Sequence, residues 1–204
     1  MTPATAITDA AWVRARIGGA AKLYGCASPQ VLGTVWWYSL SSVLIGPVVE
    51  ALVRDGVALD PALDAVELDM LPDGRFRGAH ATRALPGDLE AVGKAMAEAY
   101  EPVIATISQV SGARVPALRA IATDSVGNRL LWTVDPERAM TLAEPLVAAI
   151  GHGWPKPRFV RVGRAPVVRR ASCCLIYETA NASKCTSCPR QRPEERERRL
   201  RTGS

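Results

Sequence analysis

No charged residue occurs between Lys22 and Glu50, and within that gap the chain runs apolar from Val31 through Trp36, Trp37 and Tyr38 to Val53. Ser28-Pro29 is a helix start, with proline preset in the first turn, and Asp55-Gly56 is a stop, so the pattern predicts one long helix over about 29–55. Its length raises a membrane span. Gln30, Gly33, Thr34, Ser39, Ser41, Ser42 and Gly46-Pro47 dilute the run, however, and no strong basic flank marks one side. The expectation is therefore a buried central helix, kinked near Pro47, with no transmembrane segment; peripheral contact with a membrane is left open.

Around this helix the pattern alternates between helical and strand periods. Thr8 or Asp9 can cap a first helix reaching Tyr24, with Trp12, Ile17 and Leu23 for burial. Ala65 to Leu71 alternates in part, Pro72-Asp73-Gly74 signals a turn, and Arg75 to Thr82 reads as the return strand of a hairpin. Three further helices are predicted, opened by Gly87-Asp88-Leu89 and reaching about Ser111, from Pro116 to Val134, and from Asp135-Pro136-Glu137 to near Gly151-His152-Gly153. Pro155 and Pro157 then break the pattern, Arg158 to Val162 alternates as a strand that Val167 and Val168 continue, and Leu175 to Thr179 extends the second β segment. The fold class is α+β: a mostly helical single domain with small β segments and a C-terminal cysteine-rich metal-binding loop.

A chain of 204 residues, 48% hydrophobic and 22% charged, has the composition of an ordinary globular domain with a sizeable core. Charge changes the picture more. Residues 1–157 hold 13 Lys/Arg against 16 Asp/Glu, and residues 158–204 hold 12 against 4, so a mildly acidic body precedes a part of net charge +8. The organisation read from this is a mainly helical body (1–157), a metal-binding region of the same domain (158–189) and a charged tail (190–204). The tail mixes Arg with Glu194, Glu195 and Glu197, the pattern of a solvated helix or a disordered end, so no nucleic-acid partner is expected.

Four of the five cysteines, Cys173, Cys174, Cys185 and Cys188, fall within the basic part in the order CC-x10-CxxC, followed by Pro189. Four thiolates suit iron in an iron-sulfur cluster or a structural zinc. Zinc sites are commonly built from two CxxC knuckles, and only Cys185 and Cys188 form one. Adjacent Cys173 and Cys174 would point to opposite faces of a strand, so both reach one centre only if the backbone leaves the strand conformation; two irons relax that demand. Two disulfides remain a third reading, opposed by the absence of a secretory signal over Met1 to Ala10 and by the leftover thiol of Cys26.

The stretch Arg169-Arg170-Ala171-Ser172-Cys173-Cys174-Leu175-Ile176-Tyr177-Glu178, with Lys184-Cys185-Thr186-Ser187-Cys188-Pro189, resembles the C-terminal signature of the FhuF-like ferric-siderophore reductases. Ala27-Ser28-Pro29 leading into the long apolar helix is a weaker likeness upstream. The resemblance implies that Cys173, Cys174, Cys185 and Cys188 ligate a [2Fe-2S] cluster. It further implies a cytoplasmic iron-sulfur oxidoreductase that frees iron from a ferric siderophore by one-electron reduction of Fe(III) to Fe(II). The other readings are a non-catalytic interaction domain with a four-cysteine zinc and a generic [2Fe-2S] electron carrier.

Arg169 and Arg170 are the candidates for cluster tuning or docking, with hydrogen bonds to sulfur expected from the Ser172 hydroxyl and the N–H groups near Thr186 and Ser187. No residue beyond the cluster is assigned a catalytic role. The chain shows no Walker A, GxGxxG or nucleophile-elbow signature, so electrons are expected from an external ferredoxin-like or flavodoxin-like protein. His80 and His152 are expected in surface or loop positions, Trp36 and Trp37 in the core, and Cys26 as a small buried residue.

Overall fold

The apolar run forms the helix that the sequence predicts, and the rest of the chain is arranged around it. The computed structural model describes residues 1–202. In chain order the elements are β1 (Thr2–Pro3), α1 (Ala10–Tyr24), α2 (Pro29–Asp55), β2 (Ala58–Leu59), β3 (Val66–Met70), β4 (Phe76–Ala81), β5 (Ala84–Leu85), α3 (Leu89–Ser111), α4 (Val115–Leu131), α5 (Pro136–Ile150), β6 (Phe159–Val162), β7 (Ala165–Val168) and α6 (Pro193–Thr202). Helices dominate and the strands form three small antiparallel sheets, β1-β3-β4, β2-β5 and β6-β7, in an α+β architecture.

Four of the five long helices are started by a residue whose side chain satisfies a free N–H group. The side chains of Asp9, Ser28, Asp88 and Asp135 accept from the backbone at the starts of α1, α2, α3 and α5. Gly56 and Gly112 end α2 and α3 in the left-handed conformation. Helix α2 continues through Pro47 and is buried on all sides, which is why its sequence is apolar without a polar stripe. It is long and apolar enough to cross a membrane by length and composition, yet most of that stretch is buried inside the fold.

Helix α4 is the main partner of α2. The indole of Trp37 donates to the carbonyl of Leu118 at 2.8 Å, and the hydroxyls of Ser41 and Ser125 meet at 2.8 Å, both fully inside. The Tyr100 hydroxyl ties α3 to the carbonyl of Leu44 at 3.3 Å, and burial holds its pKa far above that of an ordinary phenol. Trp36 is also in the core, with its ring 5.7 Å from Phe76 of β4, where the first sheet covers α2.

Gly127 on α4 sets the position of the C-terminal region. A Cβ there would lie 2.9 Å from Val168 and 3.5 Å from Phe159, so the β6-β7 hairpin rests directly on the α4 backbone. Gly127→Val is expected to lift this hairpin and lower stability by about 2 kcal/mol through overpacking. Urea unfolding checks this; a shift within the scatter of surface mutants would show the contact to be compliant.

Four expectations are corrected. Helix α4 ends at Leu131, not Val134, because Trp132 leaves helical geometry and Asp135 already caps α5. Leu175 to Thr179 is no strand: Leu175 takes a left-handed backbone, φ 63°, followed by a 3-10 turn over Ile176–Glu178. The β content is three sheets, since β1 and the β2-β5 pair are too short to show a period. Cys26 is exposed, at the turn between α1 and α2, where small size did not lead to burial. The tail forms the exposed helix α6, and His80 and His152 are exposed as expected.

Candidate metal centre

The centre is assembled where the chain leaves β7 and crosses the buried face of α4. Asp124, on α4, is 2% exposed and accepts the N–H of Ala171 at 2.8 Å and of Ser172 at 3.3 Å. Strand β7 has ended at Val168, and this carboxylate holds Ala171 and Ser172 in a bend. Cys173 and Cys174 can therefore turn toward one side, which a continuing strand would forbid. Leu175 then donates its N–H to Cys173 Sγ at 3.4 Å, and Cys174 receives that of Ile176. The second pair lies on a tight turn in which Cys188 N–H bonds the Cys185 carbonyl at 3.0 Å, while the buried Gln191 amide donates to the carbonyls of Cys185 and Thr186.

All five cysteines are free thiols, and four of them meet. Cys173 Sγ lies 3.7 Å from Cys188 Sγ, and Cys174 bonds both Cys173 and Cys185, so the sulfurs run in the order Cys188, Cys173, Cys174, Cys185. Among the described residues no three ligating side chains close on a single ion position. Four grouped soft donors suit an iron-sulfur cluster, and only Cys185 and Cys188 form the CxxC knuckle of which zinc sites commonly use two. Cys174 and Cys188 are buried; Cys173 and Cys185 are partly exposed and form the outer side.

Arg170 sits behind this row. Its side chain is 1% exposed, and Nη1 lies 3.4 Å from Cys185 Sγ and 3.8 Å from Cys174 Sγ. The guanidinium also stacks 4.8 Å over the ring of Tyr38. Asp124 faces its Nε at 3.6 Å, an ion-pair distance beyond a hydrogen bond, and both Nε and Nη2 are buried with no hydrogen-bond partner among the described residues. A buried cation with spare donors beside four sulfurs calls for more hydrogen-bond acceptors than one carboxylate supplies. Thiolates and the sulfides of a metal cluster are such acceptors, so the residues present fit such a group.

The surroundings shift the sulfurs unequally. Hydrogen bonds from Cys173 and Cys185, aided by the Arg170 charge, hold the Cys174 thiol far below its ordinary value. Bonding to that thiolate and burial push Cys173 and Cys185 well up. Burial raises Asp124 to about 6 against the opposing pull of the Ala171 N–H and Arg170. Burial also raises Tyr38, with Arg170 again opposing. Burial alone would lower Arg170, but Cys174, Tyr38, Asp124 and Cys185 together hold it fully charged.

The two candidate tuning residues thus separate: Arg170 touches the sulfurs and Arg169 is exposed. Among the described residues, the Ser172 hydroxyl and the N–H groups of Thr186 and Ser187 make no bond to sulfur; Leu175, Ile176 and Arg170 donate instead. Asp124, Tyr38 and Gln191 were not anticipated from the sequence. The only signal for Asp124 is a carboxylate within the stretch 120–127, where every other residue is small or apolar or carries only a hydroxyl.

These features define an iron-sulfur protein. Residues 170–190 match the family model described as the FhuF 2Fe-2S C-terminal domain, so the segment carrying the thiol row is of FhuF type and its cofactor is a [2Fe-2S] cluster. No curated protein and no solved structure matches the chain.

Proposed function

We propose that the protein is a ferric-siderophore reductase, working in the cytoplasm, in which Cys173, Cys174, Cys185 and Cys188 are the four ligands of the cluster. The observation that carries the reading is a cation-backed thiol row whose outer members, Cys173 and Cys185, reach the surface while Arg170 and Asp124 stay buried behind it. A bound [2Fe-2S] cluster supplies one electron at a time. Reduction of Fe(III) to Fe(II) weakens the hold of hard oxygen donors, so one electron frees the metal and no bond to carbon changes.

The chain's own residues set the conditions for that transfer. Arg170 offsets the added negative charge, Asp124 holds Arg170 and the Ala171-Ser172 backbone in place, and the Leu175 N–H stabilises the outer Cys173 sulfur. The electron must be replaced by a separate protein, because no nucleotide or flavin motif is present. The part of the chain from residue 158, with Arg158, Arg164 and Arg169 exposed, favours an acidic ferredoxin-like or flavodoxin-like donor.

Stopped-flow mixing of the reduced protein with ferric siderophores tests the reading. Bleached visible absorption is expected to return as Fe(II) appears in equal amount, and re-reduction by an acidic donor is expected to slow several-fold from low to physiological salt. Failure to reduce any ferric chelate leaves an electron carrier and overturns the reductase reading. Turnover with NADH or NADPH alone overturns the external donor, and a salt-independent rate overturns the steering.

A further inference from the structure

A cleft of about 270 Å³ opens to solvent beside the outer sulfur Cys173. Gln30 and Thr34 from the first turns of α2 form one wall, Arg114 at the start of α4 the second, and Arg190 the third, after the CxxC turn. No carboxylate lines it. Arg114 is exposed and, among the described residues, makes no ion pair. Helix α4 begins there with no side-chain cap, which adds the positive end of its dipole to the same spot. Arg190 donates to the Tyr177 hydroxyl at 2.7 Å and, among the described residues, has only the exposed Glu178, at 3.7 Å, as a counter-charge.

A neutral molecule approaching the thiolate row needs no such cations. An anionic one does, because four thiolates and a sulfide cluster would otherwise repel it. The concave shape suits one lobe of a small chelate better than the flat patch of a protein partner.

We propose that this cleft is where the ferric chelate docks, and that Arg114 and Arg190 select chelates whose iron is held by carboxylate or catecholate oxygens and which carry net negative charge. The inference rests on the reductase reading and adds the place and charge class of the substrate. A chelate seated there lies beside Cys173, which lines the cleft.

Gallium(III) cannot be reduced under these conditions, so its complexes separate binding from electron transfer. Calorimetric titration of the cluster-loaded protein is expected to show a trianionic gallium tris-catecholate binding about tenfold more tightly at low salt than a neutral gallium tris-hydroxamate. Salt should narrow the gap. Arg114→Gln is expected to weaken only the anionic complex, by about fivefold, and Arg114→Lys to retain most of its binding, both with unchanged visible absorption. Equal affinities for the two complexes, or anionic binding that survives Arg114→Gln combined with Arg190→Gln, overturns the cleft. Arg114→Gln slowing reduction by an acidic donor while leaving gallium binding intact assigns the surface to the donor and overturns it equally. Ferric chelates reduced without dependence on these arginines would leave the reductase reading standing and the cleft wrong. Gallium binding without any ferric reduction would do the opposite.

Discussion

Replacing any one of Cys173, Cys174, Cys185 or Cys188 by serine is expected to reduce the visible absorption of the reconstituted protein to near background, whereas Cys26→Ser leaves it intact. Serine oxygen is a hard donor and a poor ligand for this soft site. Cys26 is exposed at the α1-α2 turn, so its replacement breaks no packing. The four losses differ in kind. Cys174 and Cys188 are buried, and serine there also leaves an unsatisfied hydroxyl, so the thermal midpoint should fall with the cluster. Cys173 and Cys185 lie on the outer side, and their variants should keep the fold while losing the colour. Iron and sulfide analysis beside the spectra decides the outcome. A Cys26 variant that loses iron, or one of the four that keeps it in full, removes the proposed ligand set.

The second large effect concerns the reduction potential. Arg170→Gln is expected to lower it by on the order of 100 mV, because a unit charge at about 4 Å in an effective dielectric near 20 is worth about 4 kcal/mol and an electron spread over the cluster feels a fraction of that. Asp124→Asn removes the opposing charge and should raise the potential. It also weakens the clamp on the Ala171 and Ser172 N–H groups, so stability should fall by about 3 kcal/mol, as when one member of a buried pair is lost. Arg169→Gln serves as the exposed comparison, with a small shift that salt removes. Protein-film voltammetry reads all three. A potential that is unchanged or raised in Arg170→Gln rules out the electrostatic role, and equal shifts for Arg169 and Arg170 would show that burial does not matter here.

Much of this was legible in the chain. The charge-free run after Lys22 predicts α2 with both its ends, because Ser28-Pro29 and Gly56 act on the backbone through local geometry alone. The caps at Asp9, Asp88 and Asp135 are local in the same way. So is the CxxC turn, and the motif over residues 170–190 carries the cofactor because residue type and order are written in the sequence.

Tertiary structure decided what depends on contact between distant segments. Arg169 and Arg170 are neighbours of identical composition; only the packing of β7 on α4 at Gly127 turns one to solvent and the other onto the sulfurs. Asp124 stands 46 residues before Arg170 in a helix with no periodic signal, and its partnership arises from the crossing of α4 by the segment after β7. The bend at Ala171-Ser172 is held by that carboxylate accepting two N–H groups from a distant segment, a contact that no local propensity encodes. The sequence by itself determined the helices, their caps and the thiol set. Which arginine faces the thiols, which carboxylate holds it, and which sulfur meets the cleft were decided by burial, since only a low-dielectric interior makes one charge pair outweigh its neighbours.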